Sequence, residues 1–207
     1  METRTIKVTL IDEMLGTNPS DKKIYDKYIA SKAPTEDAMN EDMENFQGGD
    51  NGGLQTIFIK DENGNPLMAC YHMYGFFKSA CGYLKKVDKT ESSKVKAYKK
   101  FIDGLIKVYP GPDITQRYIR LNLPEGAEIG DCQRSLRAQT MQGERVALAS
   151  SETVPAGTTF QCDICLWDES KWPLVEEWLD YGKFNGLGQW RSSGKGAFTW
   201  EYVVEEK

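Results

Sequence analysis

The chain has 207 residues, of which 40% are hydrophobic and 28% are charged, and its formal net charge is −5 at pH 7. These values predict one globular domain with a sizeable core, and no stretch approaches the ~20 apolar residues of a transmembrane helix. Five cysteines, an odd number, are more typical of a reducing compartment than of a disulfide framework. Because the N-terminus also lacks a signal-peptide pattern, we expect a cytoplasmic protein.

The charges are distributed unevenly along the chain. Residues 12–50 carry ten acidic and four basic side chains, whereas residues 78–120 carry eleven basic and four acidic ones. Although the net charge argues against a generally basic nucleic-acid binder, such asymmetry can place a basic face on an acidic protein. A lysine-rich helix face that is only solvated would have the same composition, so both interpretations remain open.

The first predicted element is a strand at residues 5–11, where apolar and polar residues alternate. About forty residues without a strand pattern follow it. Within them, Ser20 and Thr35 could each cap a short helix, and a glycine-rich hinge occupies 46–53. A long insertion at this point is often functional, and we predict that the acidic segment 12–53 projects from the core.

The remaining pattern is typical of an α+β domain. Two extended segments in 54–71 flank a turn at Asn63-Gly64, and residues 144–167 contain two strands joined by a turn at 155–157. Further elements are a helix at 75–86, strands at 104–110 and 117–123, a helix at 170–182 and a closing strand at 196–204. This order predicts a single domain over 1–207, with an antiparallel sheet and helices on one of its faces.

Several kinds of chemistry find no support in the sequence. His72 is the only histidine, which excludes histidine-pair ribonuclease mechanisms and leaves a lone general base or a structural residue. Cys162 and Cys165 are spaced like a zinc half-site, but residues three apart on a strand face opposite sides. We therefore predict no metal site and no cofactor. If a catalytic carboxylate exists, Asp50 is the favoured candidate, because glycines surround it.

Two cationic segments are candidates for binding an anionic partner. The first, residues 131–148, matches neither helix nor strand cleanly and contains Arg134, Arg137 and Arg145. Arginine binds phosphates and stacks on bases, but salt bridges within a loop would explain the same residues.

The second segment is the glycine-rich loop at 186–198. Its glycines allow a ligand to approach the backbone, and we expect Arg191 and Lys195 to contact that ligand. Trp190 could serve as a stacking platform or pack at a strand edge. The alternative for Arg191 is an ion pair with Asp180 or Glu201.

Four segments, taken in order, resemble the RAMP superfamily, which includes the CRISPR backbone subunits. They are the first strand with its following glycine (6–19), the strand–turn–strand–helix run (56–86), the Glu and Val-Pro-Ala-Gly segment (150–164), and the glycine-rich loop (186–198). The departures are two phenylalanines where the family prefers serines, and Lys78 one position closer to its glycine than usual.

The resemblance implies a ferredoxin-like (RRM-like) core that binds single-stranded RNA, in subunits that line up head to tail along a guide RNA. Some members cut target RNA through an aspartate in the loop after the first strand, and several aspartates of 12–50 could take that role here. Together with the two cationic segments, the resemblance assigns RNA binding to Lys78, Arg134, Arg137, Arg145, Arg191, Ser193, Gly194, Lys195 and Gly196.

Three functions therefore remain open. The first is a non-catalytic RNA-binding protein of phage or CRISPR-related antiviral defense, partnered by single-stranded RNA or a CRISPR-type ribonucleoprotein. The second is a phage counter-defence protein that binds a host immune complex through protein contacts, since the chain also resembles uncharacterised phage-encoded proteins. The third is an endoribonuclease, either metal-independent or aspartate-dependent, which the scarcity of histidine disfavours. We lean towards a protein that is not an enzyme.

Overall fold

The structure is a computed structural model that describes residues 1–20, 55–140 and 143–203, without the side chains of 136–148. The predicted helices after Ser20 and Thr35, the hinge at 46–53 and Asp50 therefore lie outside the described residues. The projecting insertion stays a prediction. Its first residues do not project, because Met14 and Leu15 are buried.

The described part of the chain contains twelve strands and three α-helices, which confirms the predicted α+β class. The strands are β1 (Glu2–Leu10), β2 (Met14–Leu15), β3 (Asn18–Pro19), β4 (Gln55–Ile57), β5 (Ile59–Lys60), β6 (Pro66–Ala69), β7 (Ile106–Tyr109), β8 (Tyr118–Arg120), β9 (Gly130–Thr140), β10 (Gly143–Val154), β11 (Thr159–Leu166) and β12 (Phe198–Tyr202). The helices are α1 (Tyr71–Leu84), α2 (Tyr98–Leu105) and α3 (Trp172–Asp180).

The main sheet has four antiparallel strands in the order β12-β1-β11-β7. Along β1, Ile6, Val8 and Leu10 are buried, while Lys7 and Thr9 between them are partly exposed. This is the alternation that the sequence predicts for 5–11. It gives the sheet one apolar face and one polar face.

The helices cover the apolar face of the main sheet and share one core with it. Phe77 of α1 lies 5.6 Å from Trp178 of α3, and Phe76 lies 5.1 Å from Phe198 of β12, measured between ring centroids. Helix α1 begins four residues before the predicted start at Gly75. Gly75 is exposed in the second turn of the helix, where its missing side chain leaves no gap in the core.

Two smaller sheets complete the fold. One has the order β2-β10-β4-β3, with β9 also paired to β10, and the other has the order β5-β6-β8. Strand β9 lies in the arginine-containing segment that matched no element, since its polar residues obscure a period of two, whereas β10 and β11 are the two strands predicted in 144–167. Helix α2 has no counterpart among the predicted elements either. The turn at Asn63-Gly64 is confirmed, with Gly64 at a φ of +80°.

A carboxylate on α3 holds the lysine-rich link between α1 and α2. Glu177 accepts hydrogen bonds from the backbone N–H groups of Glu91 and Ser92 at 2.7 and 2.9 Å, and from the Ser92 hydroxyl at 2.6 Å. The indole N–H of Trp178 donates to the same hydroxyl at 2.9 Å. Ser92 is completely buried, so these bonds attach the link to the core.

Candidate nucleic-acid interface

Part of the glycine-rich loop packs tightly against its own backbone. The N–H of Leu187 donates to the carbonyl oxygen of Gly196 at 2.9 Å. A Cβ added at Gly196, which has a φ of +70°, would overlap the carbonyl oxygen of Leu187, and one at Gly186 would overlap Gly196. A Cβ at Gly188 would lie 2.6 Å from the carbonyl oxygen of Leu15. We call residues 186–188 with 195–196 the inner part; its glycines are required for packing.

The segment 190–194, which we call the outer turn, is exposed. Trp190 has a left-handed backbone (φ 55°) and is 41% exposed, an uncommon conformation for a bulky residue. A single 3-10 turn follows at Arg191–Ser193 and ends at Gly194, which has a φ of +87° and no atom within 4 Å of an added Cβ. The outer turn therefore leaves room beside its backbone.

A cleft of about 480 Å³ lies between the first half of α1 and the glycine-rich loop. It brings together two residues that the sequence predicts separately, Lys78 on α1 and Arg191 in the outer turn. The complete lining consists of Tyr71, His72, Tyr74, Gly75, Phe76, Lys78, Asp103, Leu187, Gly188 and Arg191.

The two cations of the cleft differ in their partners. Lys78 forms an ion pair with Asp103 of α2, whose side chain is 57% exposed. Arg191 forms no ion pair with any residue that the structure describes. The two acidic residues considered for it are engaged elsewhere, since Asp180 accepts a hydrogen bond from an indole N–H and Glu201 pairs with a lysine of β1. The cleft therefore carries an uncompensated positive charge that favours an anionic ligand.

His72 lines the same cleft but adds no charge to it. Its Nε2 lies 2.9 Å from the Thr17 hydroxyl, and its Nδ1 is buried without a hydrogen-bond partner among the described residues. Burial lowers the pKa of His72 to about 4, because removal from water disfavours the protonated ring. The ring is therefore neutral at pH 7.

Arg134 connects the hairpin β9–β10 to the loop. Its Nη2 donates to the side-chain oxygen of Gln189 at 2.8 Å, and its guanidinium lies 5.4 Å from the Trp190 ring centroid. This is the range of a cation–π contact. Arg137 and Arg145 belong to the same hairpin, with side chains outside the described part of the structure.

Lys195 has protein partners. Its ammonium lies 2.8 Å from a carboxylate oxygen of Glu13 and 3.2 Å from one of Asp12, and the hydrogen bond to Glu13 raises the pKa of Lys195. The N–H of Gly196 donates to the Glu13 carbonyl at 2.8 Å. By contrast, Ser193 is exposed. RNA binding by Lys195 and Gly196 stays a prediction, although here both residues hold the inner part in place.

Three residues of this region carry no sequence signal. Tyr71 and Asp103 line the cleft. The side chain of Gln189 accepts the hydrogen bond from Arg134 and donates one to the Gly16 carbonyl at 3.0 Å. Only the pairing of distant segments reveals them.

On β11, Cys162 is buried and Cys165 is partly exposed, as strand alternation predicts.

Within the described ranges, no group of three or more His, Cys, Asp or Glu side chains could hold a metal ion. In the same ranges, no helix is long and apolar enough to cross a membrane.

Comparisons with known proteins show similarity at the level of the fold. No family model matches the sequence, and no curated protein matches it either. A chain in the cryo-EM structure of the Type III-B Cmr-beta bound to cognate target RNA is similar, with a TM-score of 0.50 and 11% identity. The match covers 98% of this chain and 60% of that one, so this protein spans less than two thirds of its length. A chain of a Type IV-B CRISPR complex has a TM-score of 0.48 and 10% identity over 100% of this chain and 92% of the other.

Proposed function

We propose that this protein is a non-catalytic, RAMP-like subunit that binds single-stranded RNA within a CRISPR-type ribonucleoprotein. Its core is ferredoxin-like. The strands of the main sheet occur along the chain as β1, β7, β11 and β12, with α1 and α2 after the first strand and α3 after the third. In space their order is fourth, first, third, second, which is the arrangement of a ferredoxin-like sheet. The fold shared with the Cmr-beta chain supports the same interpretation.

The observation that carries the proposal is the position of Arg191 and Lys78 in one cleft. Arginine presents a planar set of donors that suits phosphate oxygens, and Arg191 has no carboxylate partner among the described residues. Through Trp190, this cation adjoins Arg134. A strand of RNA that places phosphates in the cleft would thus meet Lys78 and Arg191, which come from segments that are distant in sequence. Ser193 and Gly194 follow Arg191 in the outer turn.

The first experiment measures binding of a labelled single-stranded RNA by fluorescence anisotropy over a range of salt concentrations. We expect binding at low salt, with a log–log slope near −0.7 for each phosphate neutralised. The double variant Lys78→Ala/Arg191→Ala should bind at least ~tenfold more weakly. The matched control Lys107→Ala/Arg120→Ala removes two exposed cations outside the cleft and should retain the affinity.

If the purified protein binds no RNA at low salt and carries no nucleic acid from cells, the proposal fails. Capture of an assembled immune complex by such a protein would then favour the counter-defence alternative, in which protein contacts replace RNA. Head-to-tail self-association along RNA is a further part of the proposal. It predicts that the mass of the complex, measured by light scattering, rises in regular steps with the length of the RNA.

A further inference from the structure

Three aromatic rings form a row at the C-terminal end of α1; two of them are exposed, and the middle one is partly buried against the core. Tyr83 and Tyr181 have ring centroids 6.2 Å apart, and Tyr181 and Phe184 have centroids 5.9 Å apart with planes inclined by 25°. Phe184 is 76% exposed and Tyr83 is 56% exposed. We call these three residues the aromatic row. Large rings grouped on a surface in this way are typical of an interaction site.

Hydrogen bonds position the backbone segment that carries two of the three rings. The N–H groups of Phe184 and Asn185 both donate to the Tyr181 carbonyl, at 2.9 and 3.1 Å. The Asn185 side chain donates to the Ser79 hydroxyl on α1 at 2.8 Å. These bonds attach the segment after α3 to α1, so its backbone is in place beside Tyr83 without a ligand.

Exposed lysines surround the row in sequence. Lys86 lies three residues after Tyr83, and Lys183 precedes Phe184; both lysines are exposed, and neither forms an ion pair with a described residue. Lys85, two residues after Tyr83, lies on another side of the helix. The Lys85 ammonium lies 5.9 Å from a tyrosine ring of α2. Asp88 is the acidic residue closest to Tyr83 along the chain, and the exposed Asp180 directly precedes Tyr181 and accepts a hydrogen bond from the Trp200 indole at 3.0 Å. The surface therefore combines apolar ring faces with unpaired positive charge.

We propose that the aromatic row and these lysines form a second contact site for single-stranded RNA, in which unpaired bases stack on the rings and phosphates lie against the lysines. Interleaved rings and cations are the arrangement with which proteins hold single strands without reading their sequence. A protein partner would need carboxylates to match the lysines, whereas RNA supplies a phosphate with every base. The inference deepens the proposed function and rests on it, because one RNA would occupy both sites.

The geometry of α1 places the two sites on different sides of one helix. Tyr83 lies five residues after Lys78, which is a rotation of about 140° around the helix axis. A single strand that occupies both sites therefore passes around α1 between the cleft and the row.

The experiment compares two RNAs of equal length and charge, one with normal nucleotides and one in which the central nucleotides are abasic. We expect Tyr83→Ala/Phe184→Ala to weaken binding of the normal RNA about fivefold and to leave binding of the abasic RNA unchanged. The charge variant Lys86→Ala/Lys183→Ala should weaken both. The matched control Trp167→Ala/Lys171→Ala removes an exposed ring and an exposed lysine from another surface and should change neither.

The outcomes separate this inference from the proposed function. If wild-type protein binds neither RNA, the proposed function fails and the inference with it. If the cleft variant Lys78→Ala/Arg191→Ala loses affinity while the ring variant binds normal RNA like wild type, the inference alone is overturned. The same holds if the ring variant keeps its RNA affinity but changes the oligomeric mass in light scattering, because the row would then be a protein interface.

Discussion

The two parts of the glycine-rich loop each contain one cation and at least one glycine, but their surroundings differ. In the inner part, Lys195 is paired with two carboxylates, and Gly196 has no room for a side chain. In the outer turn, Arg191 has no partner among the described residues, and Gly194 faces open space. Glycine therefore serves close packing in one part and access in the other. A cationic glycine-rich sequence therefore does not by itself show which of its charges are available to a ligand.

The strongest test of this difference substitutes one glycine from each part. We expect Gly196→Ala to destabilise the protein by about 3 kcal/mol, because the new Cβ would overlap the Leu187 carbonyl at a positive φ. Gly194→Ala has only the positive φ to accommodate and should cost about 1 kcal/mol. Urea denaturation measures both. Equal losses would show that the two parts do not differ in packing.

The second test concerns the protonation of His72, which lines the cleft. Because the pKa of His72 is lowered to about 4, the unfolded chain binds a proton between pH 6.5 and 4 that the folded protein does not. Stability should therefore fall as the pH falls through this window, by about 1–2 kcal/mol at pH 5.

Other groups titrate in the same window, so His72→Gln is the control that isolates the ring. We expect the variant to lose less stability than wild type between pH 7 and pH 5 in urea denaturation. An identical loss would contradict a buried, neutral His72.

A third test separates the two cations of the loop. Arg191→Ala should weaken RNA binding at least ~tenfold, about 1.4 kcal/mol, without lowering the melting temperature. Lys195→Ala should retain most of the affinity and lose up to about 1 kcal/mol of stability, because it leaves Glu13 and Asp12 without their cation. The reverse pattern, measured by anisotropy and thermal denaturation, would place the ligand against the inner part.

The smallest effect on RNA affinity is expected from the ion pair between Lys78 and Asp103, and the direction of the change distinguishes two roles for Asp103. Asp103→Asn frees the Lys78 ammonium and removes a negative charge beside Arg191, so RNA affinity should rise about threefold. Lys78→Ala should lower it. If Asp103→Asn weakens binding instead, Asp103 positions Lys78 rather than competing with RNA for it.

The sequence predicts much of this fold, because alternation is clear where a strand has one buried face. Residues 5–11 and 159–166 show this pattern, and the structure confirms both as adjacent strands of the main sheet. Strand β9 is hidden because arginine, glutamine and serine interrupt its alternation in the sequence, whereas its partner β10 is predicted within 144–167. Helix α2 is hidden because lysine-rich composition obscures its single fully buried residue, Ile102.

The candidate site is less accessible to sequence reasoning. The sequence singles out Lys78 and Arg191, but it does not show that they share a cleft. The two residues are 113 positions apart in the sequence, and they come close together only when the main sheet has formed. Nor does it show that Lys195 and Arg191 differ. That difference depends on Asp12 and Glu13, which reach the loop only because β1 pairs with β12.

The carboxylate of Glu177 has a consequence for the thermodynamics of binding along the lysine-rich link. Fixing a flexible residue costs about 1–2 kcal/mol of conformational entropy. A flexible lysine-rich link would incur that cost when it bound a polyanion. Glu177 and Trp178 already hold Glu91 and Ser92 in the unbound protein. The backbone at Glu91 and Ser92 is thus ordered during folding, and a polyanion bound to the link would not incur that cost for these two residues.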